Sequence, residues 1–317
     1  MTALDRAWAD RTEGLLDVGD GQQIWWCELG SPDGVPLVHV HGGPGGGTVP
    51  AMAAPYDLDA YRVVMFDQRG CGRSLPHASE PNVSLTTNTT AHLVRDLELL
   101  RESRGIDAWI VSGSSWGSTL GLAYVCEHPA RVRAMLLRGI TTYGEAEVDW
   151  VYRDGANRIL PEAWDEFAGV VEGDPAPDIL EAYRRALDDD ERRLDAALGW
   201  CRWELAGMLA APGSEIEAIF TDPRFAVCFA RISTHYAAHR GFVDQARLWS
   251  TVPDLGHIPA TLVQGRFDFC TPPATAWRLH RQWPGSTLHI LDEESHRLAG
   301  ATEYLRQCLD ALADRLG

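Results

Sequence analysis

Compact apolar runs separated by helix-length amphipathic stretches set the rhythm of the first 140 residues. The segment QQIWWCEL (22–29) alternates apolar and polar positions as an edge strand does. PLVHVHG (36–42), YRVVMFDQRG (61–70), AWIVSGS (108–114) and VRAMLLRGI (132–140) are nearly continuous apolar runs, as in strands buried on both faces. Helical segments at 89–105 and 118–132 lie between them, and this alternation predicts an α/β fold with a mostly parallel central sheet wrapped by helices. The rhythm breaks after Ile140: residues 141–256 are helix-patterned and rich in tryptophan. Strand character returns at IPATLVQGRFD (258–268) and STLHIL (286–291), with a helix at ATAWRLHRQW between them and a last helix from about Thr302. We therefore expect one core domain, residues 1–140 and 257–317, and an inserted helical cap domain, residues 141–256, over the carboxyl edge of the sheet, where open α/β sheets place their sites.

Composition narrows what such a fold can do. The apolar runs are too short to cross a bilayer and the first residues have no signal-peptide core, so a soluble protein of the cytoplasm is expected. A net charge of −17 repels phosphate backbones and anionic lipid, which argues against nucleic-acid or membrane partners and favours a substrate bearing an amine. All 28 basic residues are arginine, and the absence of lysine excludes Schiff-base chemistry, a P-loop and a protein kinase. Seven cysteines without a C-x-x-C pair suggest neither a disulfide framework nor a zinc site, and nothing calls for a metal or organic cofactor.

The chemistry gathers at three strand ends. Gly113-Ser114-Ser115-Trp116-Gly117 fits G-x-S-x-G between a predicted strand and a predicted helix, which would raise the Ser115 hydroxyl on a sharp turn. In this fold class an acid and then a histidine follow the nucleophile in sequence. Of the histidines beyond the cap, His257 precedes a strand, His280 sits in a helix and His289 in a strand, whereas His296 follows the last strand in a polar loop. Asp268 ends the strand before it; Asp292 competes but shares the loop of His296. The run HGGPGGG (41–47) follows a strand and offers the N–H of Gly42, Gly43 or Gly45, together with that of Trp116, to an oxyanion.

HGGPGGG, FDQRGCGRSLPHAS (66–79), GSSWGSTLGLAY, LRGI and GRFDFCTPPATAW (265–277) together resemble the proline iminopeptidase family of α/β-hydrolases, over about residues 15–300. The resemblance implies an α/β-hydrolase fold, Ser115 as nucleophile, His296 as base, Asp268 as its orienting acid, and Gly43 with Trp116 as oxyanion donors. It implies hydrolysis of the amide after an N-terminal residue, proline or a small one such as alanine. The partner is then a small molecule or short peptide with a free N-terminal amine. The family reads that amine with cap carboxylates. GWCRWELAG places Glu204 at one of them, with Trp200 on the same helix face as an aromatic wall. FARISTHY (229–236) departs from the family's F-A-R-I-E-N-H-Y, so Ser233 replaces the second glutamate, and EESHR and GSSWG depart around His296 and Ser115. Relatives in antibiotic-producing bacteria clip an aminoacyl group from macrolactam polyketide intermediates, a role this resemblance also admits. An esterase or acyltransferase acting on a non-peptide acyl substrate is the alternative.

Overall fold

The computed structural model describes residues 2–316. Eight strands, β1 (Thr12–Asp17), β2 (Gln23–Gly30), β3 (Val35–Val40), β4 (Tyr61–Phe66), β5 (Trp109–Ser114), β6 (Val132–Arg138), β7 (Ala260–Gly265) and β8 (Ser286–Leu291), form one sheet in the order β1-β2-β4-β3-β5-β6-β7-β8. β2 is antiparallel to both β1 and β4; every other pairing is parallel. The edge lies one strand further out than the sequence predicts. TEGLLD carries a glycine and two charges and lacks an apolar run, and it becomes β1 only through its ladder to β2, with Leu15 left 46% exposed.

Helix α1 (Ala3–Ala9) precedes the sheet; α2 (Thr90–Ser103) and α3 (Trp116–Glu127) follow β4 and β5. Between β6 and β7 the described chain contains only helices and turns: α4 (Glu145–Tyr152), α5 (Pro161–Gly169), α6 (Ile179–Asp188), α7 (Arg193–Gly207), α8 (Glu215–Phe220), α9 (Pro223–Ala238) and α10 (Gln245–Thr251). α11 (Pro273–Gln282) and α12 (Thr302–Asp314) complete the layers. The period-2 alternation of the strands sorts the core. Leu37, Val63, Ile110 and Leu136 join Leu305 and Leu309 of α12 on one face; Val38, Val64, Val111 and Leu137 join α2 and α3 on the other. The second core continues into the helical segment, where Trp116 packs edge-on against Tyr143 and Tyr236 at 5.2 and 4.6 Å.

α9 is tied to the loops of the sheet by polar contacts. Arg231 donates to the carbonyls of Glu80 and Val83, and the Tyr236 hydroxyl to Asn88 Oδ1 at 2.8 Å. α10 packs on α3. The order of strands reverses between β3 and β5, so a crevice opens at their carboxyl ends, and the polar machinery sits there. Among the described residues no helix is long and apolar enough to cross a membrane.

Candidate active site

Ser115 occupies the turn between β5 and α3 with φ 55° and ψ −128°, a strained conformation for a residue with a side chain. Both flanking glycines are required by contact. A Cβ on Gly113 would lie 2.3 Å from the Gly117 carbonyl oxygen, and one on Gly117 would lie 2.0 Å from that of Val40. The Ser115 N–H donates to the Arg138 carbonyl at 3.0 Å, which ties the bend to the end of β6. Trp116 is the first residue of α3, so its N–H has no intrahelical acceptor.

The glycine loop after β3 closes one side. A Cβ on Gly42 would stand 3.0 Å from the Ser115 Cβ, and Gly43 lines the same cavity as Ser115. Gln68 braces this loop, donating from Nε2 to the His41 carbonyl at 2.9 Å while its Oε1 accepts from the Trp116 indole at 2.8 Å. The Gln68 N–H also donates to His41 Nε2, which leaves the proton of His41 on Nδ1, directed at the Gly42 carbonyl at 2.8 Å.

Asp268 and His296, far apart in sequence, meet at the ends of β7 and β8. His296 Nδ1 lies 2.9 and 3.0 Å from the two oxygens of the buried Asp268. That carboxylate also accepts from Gln264 Nε2 at 2.8 Å and from the N–H and hydroxyl of Thr271 at 2.7 Å each. Because the carboxylate only accepts, Nδ1 carries the proton and Nε2 keeps its lone pair. Burial works against the imidazolium, but the charge and hydrogen bond of Asp268, with Glu204 beyond, outweigh it and hold the His296 pKa above the ordinary histidine value. The ring lies over the end of β6, where a Cβ on Gly139 would stand 3.0 Å from its Cε1, next to the residue whose carbonyl holds Ser115. The hydrogen bonds of the His296 ring all leave from Nδ1, and the Ser115 hydroxyl has no partner among the described residues. Catalytic serine–histidine hydrogen bonds commonly tighten only once substrate is bound. Asp292 takes no part; it is exposed and paired with Arg266.

Above Ser115 a cavity of about 50 Å³ is lined by Tyr143, Val148, Val151, Tyr152 and Cys270 together with Glu147 and Glu204. The two carboxylates differ. Glu147 accepts from Thr142 N–H and hydroxyl, Gly144 N–H and the Thr275 hydroxyl, which fill its acceptor sites. Glu204 accepts from the Tyr152 hydroxyl alone among the described residues, at 2.7 Å. Burial raises its pKa, partly offset by the Tyr152 hydrogen bond and by nearby His296.

Two residues expected to touch substrate do not line this cavity. Trp200 is fully buried and stacks behind Tyr152 at 4.8 Å, so Tyr152 forms the wall expected of Trp200. Ser233 is buried on α9, with its hydroxyl 3.5 Å from the Ala230 carbonyl of its own helix. Helical spacing said which residues share a face, not which face fronts the cavity. Sequence reasoning also missed Gln264, Thr271, Gln68 and Tyr152. Thr271, three residues after Asp268, carried a legible signal, since Asp-x-x-Thr places a hydroxyl at a turn able to bond back to the aspartate.

Asp268, Cys270 and His296 present donor atoms within 4.8 Å of one another. Burial and the charges of Asp268 and Glu204 push the Cys270 thiol well up, which keeps it protonated, and a cation would have to displace the Nδ1 proton that the carboxylate holds. The arrangement fits an acid–histidine pair better than a metal centre.

A family model described as the α/β hydrolase fold matches residues 35–298. The chain is 42% identical over 289 residues to a proline iminopeptidase of Arabidopsis thaliana, covering 90% of this chain and 75% of that one. It is 40% identical over 302 residues to a proline iminopeptidase of Xylella fastidiosa, covering 94% and 93%. Among solved structures, a proline iminopeptidase of Mycobacterium smegmatis superposes with a TM-score of 0.65 at 21% identity, covering 96% and 99%, a likeness of fold.

Proposed function

The chain belongs to the proline iminopeptidase family of α/β-hydrolases, and from that premise we propose that it is a serine aminopeptidase cutting the amide after a free N-terminal proline or small residue such as alanine. One observation carries the reading: Glu204, an under-occupied carboxylate, lines the same small cavity as Ser115 and Gly43. A protonated amine there gains a charge-assisted hydrogen bond in a low-dielectric site. The helices α4 to α9 then act as a cap that excludes water.

In the cycle, a small movement brings His296 Nε2 to the Ser115 hydroxyl, which gives up its proton and attacks the aminoacyl carbonyl. The N–H groups of Gly43 and Trp116 hold the oxyanion. Nε2 returns the proton to the leaving nitrogen as the C–N bond breaks, and water repeats the attack on the acyl-enzyme, releasing the amino acid. Asp268 keeps the Nδ1 tautomer throughout. A protonated Glu204 cannot anchor an ammonium, so its raised pKa makes amine binding favour higher pH.

Removal of an alanyl group from a macrolactam polyketide intermediate is a narrower form of the same proposal, since the leaving amine would be long and apolar. The test is a panel of prolyl and alanyl amides with short peptide or long aliphatic amine portions, beside simple p-nitrophenyl esters. Efficient turnover of free-amine amides is expected, and faster turnover of aliphatic amines would support the biosynthetic form. Turnover of esters alone would replace this reading with an esterase.

A further inference from the structure

Thr271 does more than shape the turn after β7. Its hydroxyl oxygen lies 2.7 Å from Asp268 Oδ2 and 3.2 Å from His296 Nδ1, so it donates to the carboxylate and offers a lone pair to the histidine. The Nδ1 proton therefore faces three oxygens from two residues, at 2.9, 3.0 and 3.2 Å. Thr271 is itself fixed, because its N–H donates to Asp268 Oδ1 and its carbonyl accepts from Gln264 Nε2 at 2.7 Å.

We infer that Thr271 is a positioning residue for amide cleavage, its hydroxyl widening the acceptor arc under Nδ1 so that His296 can swing between Ser115 and the leaving nitrogen without losing its hydrogen bond. The inference rests on the reading of Ser115 and His296 given above. Ser115 and His296 share no hydrogen bond among the described residues, so the serine hydroxyl or the ring turns to join them before the proton is taken. Nε2 takes the Ser115 proton in one orientation and delivers it to the leaving nitrogen in another, as the C–N bond breaks; the Nδ1 proton stays on Nδ1. A nitrophenolate leaves without that delivery, so esters need the second orientation far less than amides do.

The charged and titratable groups facing the ring are Asp268 after β7, Glu204 on α7, Arg138 at the end of β6 and Cys270 in the Asp268 loop. Thr271→Val removes only the hydroxyl and changes none of them, and the backbone N–H still reaches Asp268. The experiment compares kcat/KM of wild type, Thr271→Val and Thr271→Ser on the p-nitroanilide and p-nitrophenyl ester of one aminoacyl group, with a thermal melt of each and Ser115→Ala as reference. Thr271→Val is expected to lose about tenfold on the anilide and under about twofold on the ester, with Thr271→Ser restoring the anilide rate. Should the valine variant not fold, Thr271→Ala carries the same amide-to-ester comparison. Equal losses on both substrates, or none on either, with Ser115→Ala inactive, overturns the inference and leaves the serine reading standing; an active Ser115→Ala removes the serine reading itself.

Discussion

The two halves of the site are built by opposite means. On the sheet side, Ser115 and Asp268 are fixed by backbone crowding and saturated hydrogen bonds. Gly113 and Gly117 have no room for a Cβ, and Asp268 accepts from three residues. On the helical side, the cavity wall is aromatic packing, Tyr152 on Trp200 and Trp200 against Phe167 at 5.6 Å, around a carboxylate with a single partner among the described residues. The charge is divided as unevenly: residues 141–256 hold 22 acidic against 11 basic side chains, the rest of the chain 23 against 17. A side-chain wall can be recut one residue at a time, whereas the elbow cannot. That difference makes the helical side the place where substrate preference can change without disturbing the elbow.

The largest losses are expected from substitutions on the sheet side. Ser115→Ala should lower kcat by at least about 10⁴-fold with an unchanged melting temperature, because only a hydroxyl is lost. Residual turnover within tenfold of wild type would transfer the nucleophile elsewhere. Gly117→Ala should cost about 3 kcal/mol or more in a denaturant titration, since the new methyl meets the Val40 carbonyl, a backbone atom that cannot yield alone.

Changes on the helical side should be milder and selective. Glu204→Gln should raise KM for prolyl and alanyl anilides by about 30-fold or more, and shift an N-blocked ester by less than about twofold. An equal effect on both would end the amine-anchor role. The pH profile sharpens this further. His296 must be deprotonated to act as base and Glu204 deprotonated to hold an ammonium, and both pKa values are raised. The acid limb of log kcat/KM should therefore lie above the ordinary value of either group and approach a slope of two for free-amine substrates. A slope of one is expected for N-blocked esters and in Glu204→Gln. The smallest effect belongs to Gly169→Ala at the exposed end of α5, where nothing stands within 4 Å of the new Cβ; a gain of about 0.5 kcal/mol is expected.

What the sequence disclosed follows the same division. Strand periodicity and the order of Ser115, Asp268 and His296 are local signals read along one chain, and they pointed to the strand ends where the structure gathers these residues. β1 escaped because its order comes from pairing with β2 rather than from its own pattern. Tyr152 takes the place expected of Trp200 because the stack between them joins α7 to α4, a contact that no helical period encodes. Gln68, which reaches both His41 and Trp116, was hidden for the same reason.

Labelling with a fluorophosphonate, followed by peptide mass mapping, identifies the nucleophile. One adduct is expected, on the peptide carrying Ser115, formed far more slowly in His296→Ala and suppressed by a prolyl or alanyl substrate. An adduct on another residue, or no adduct in protein that still hydrolyses aminoacyl amides, would contradict Ser115 as the nucleophile.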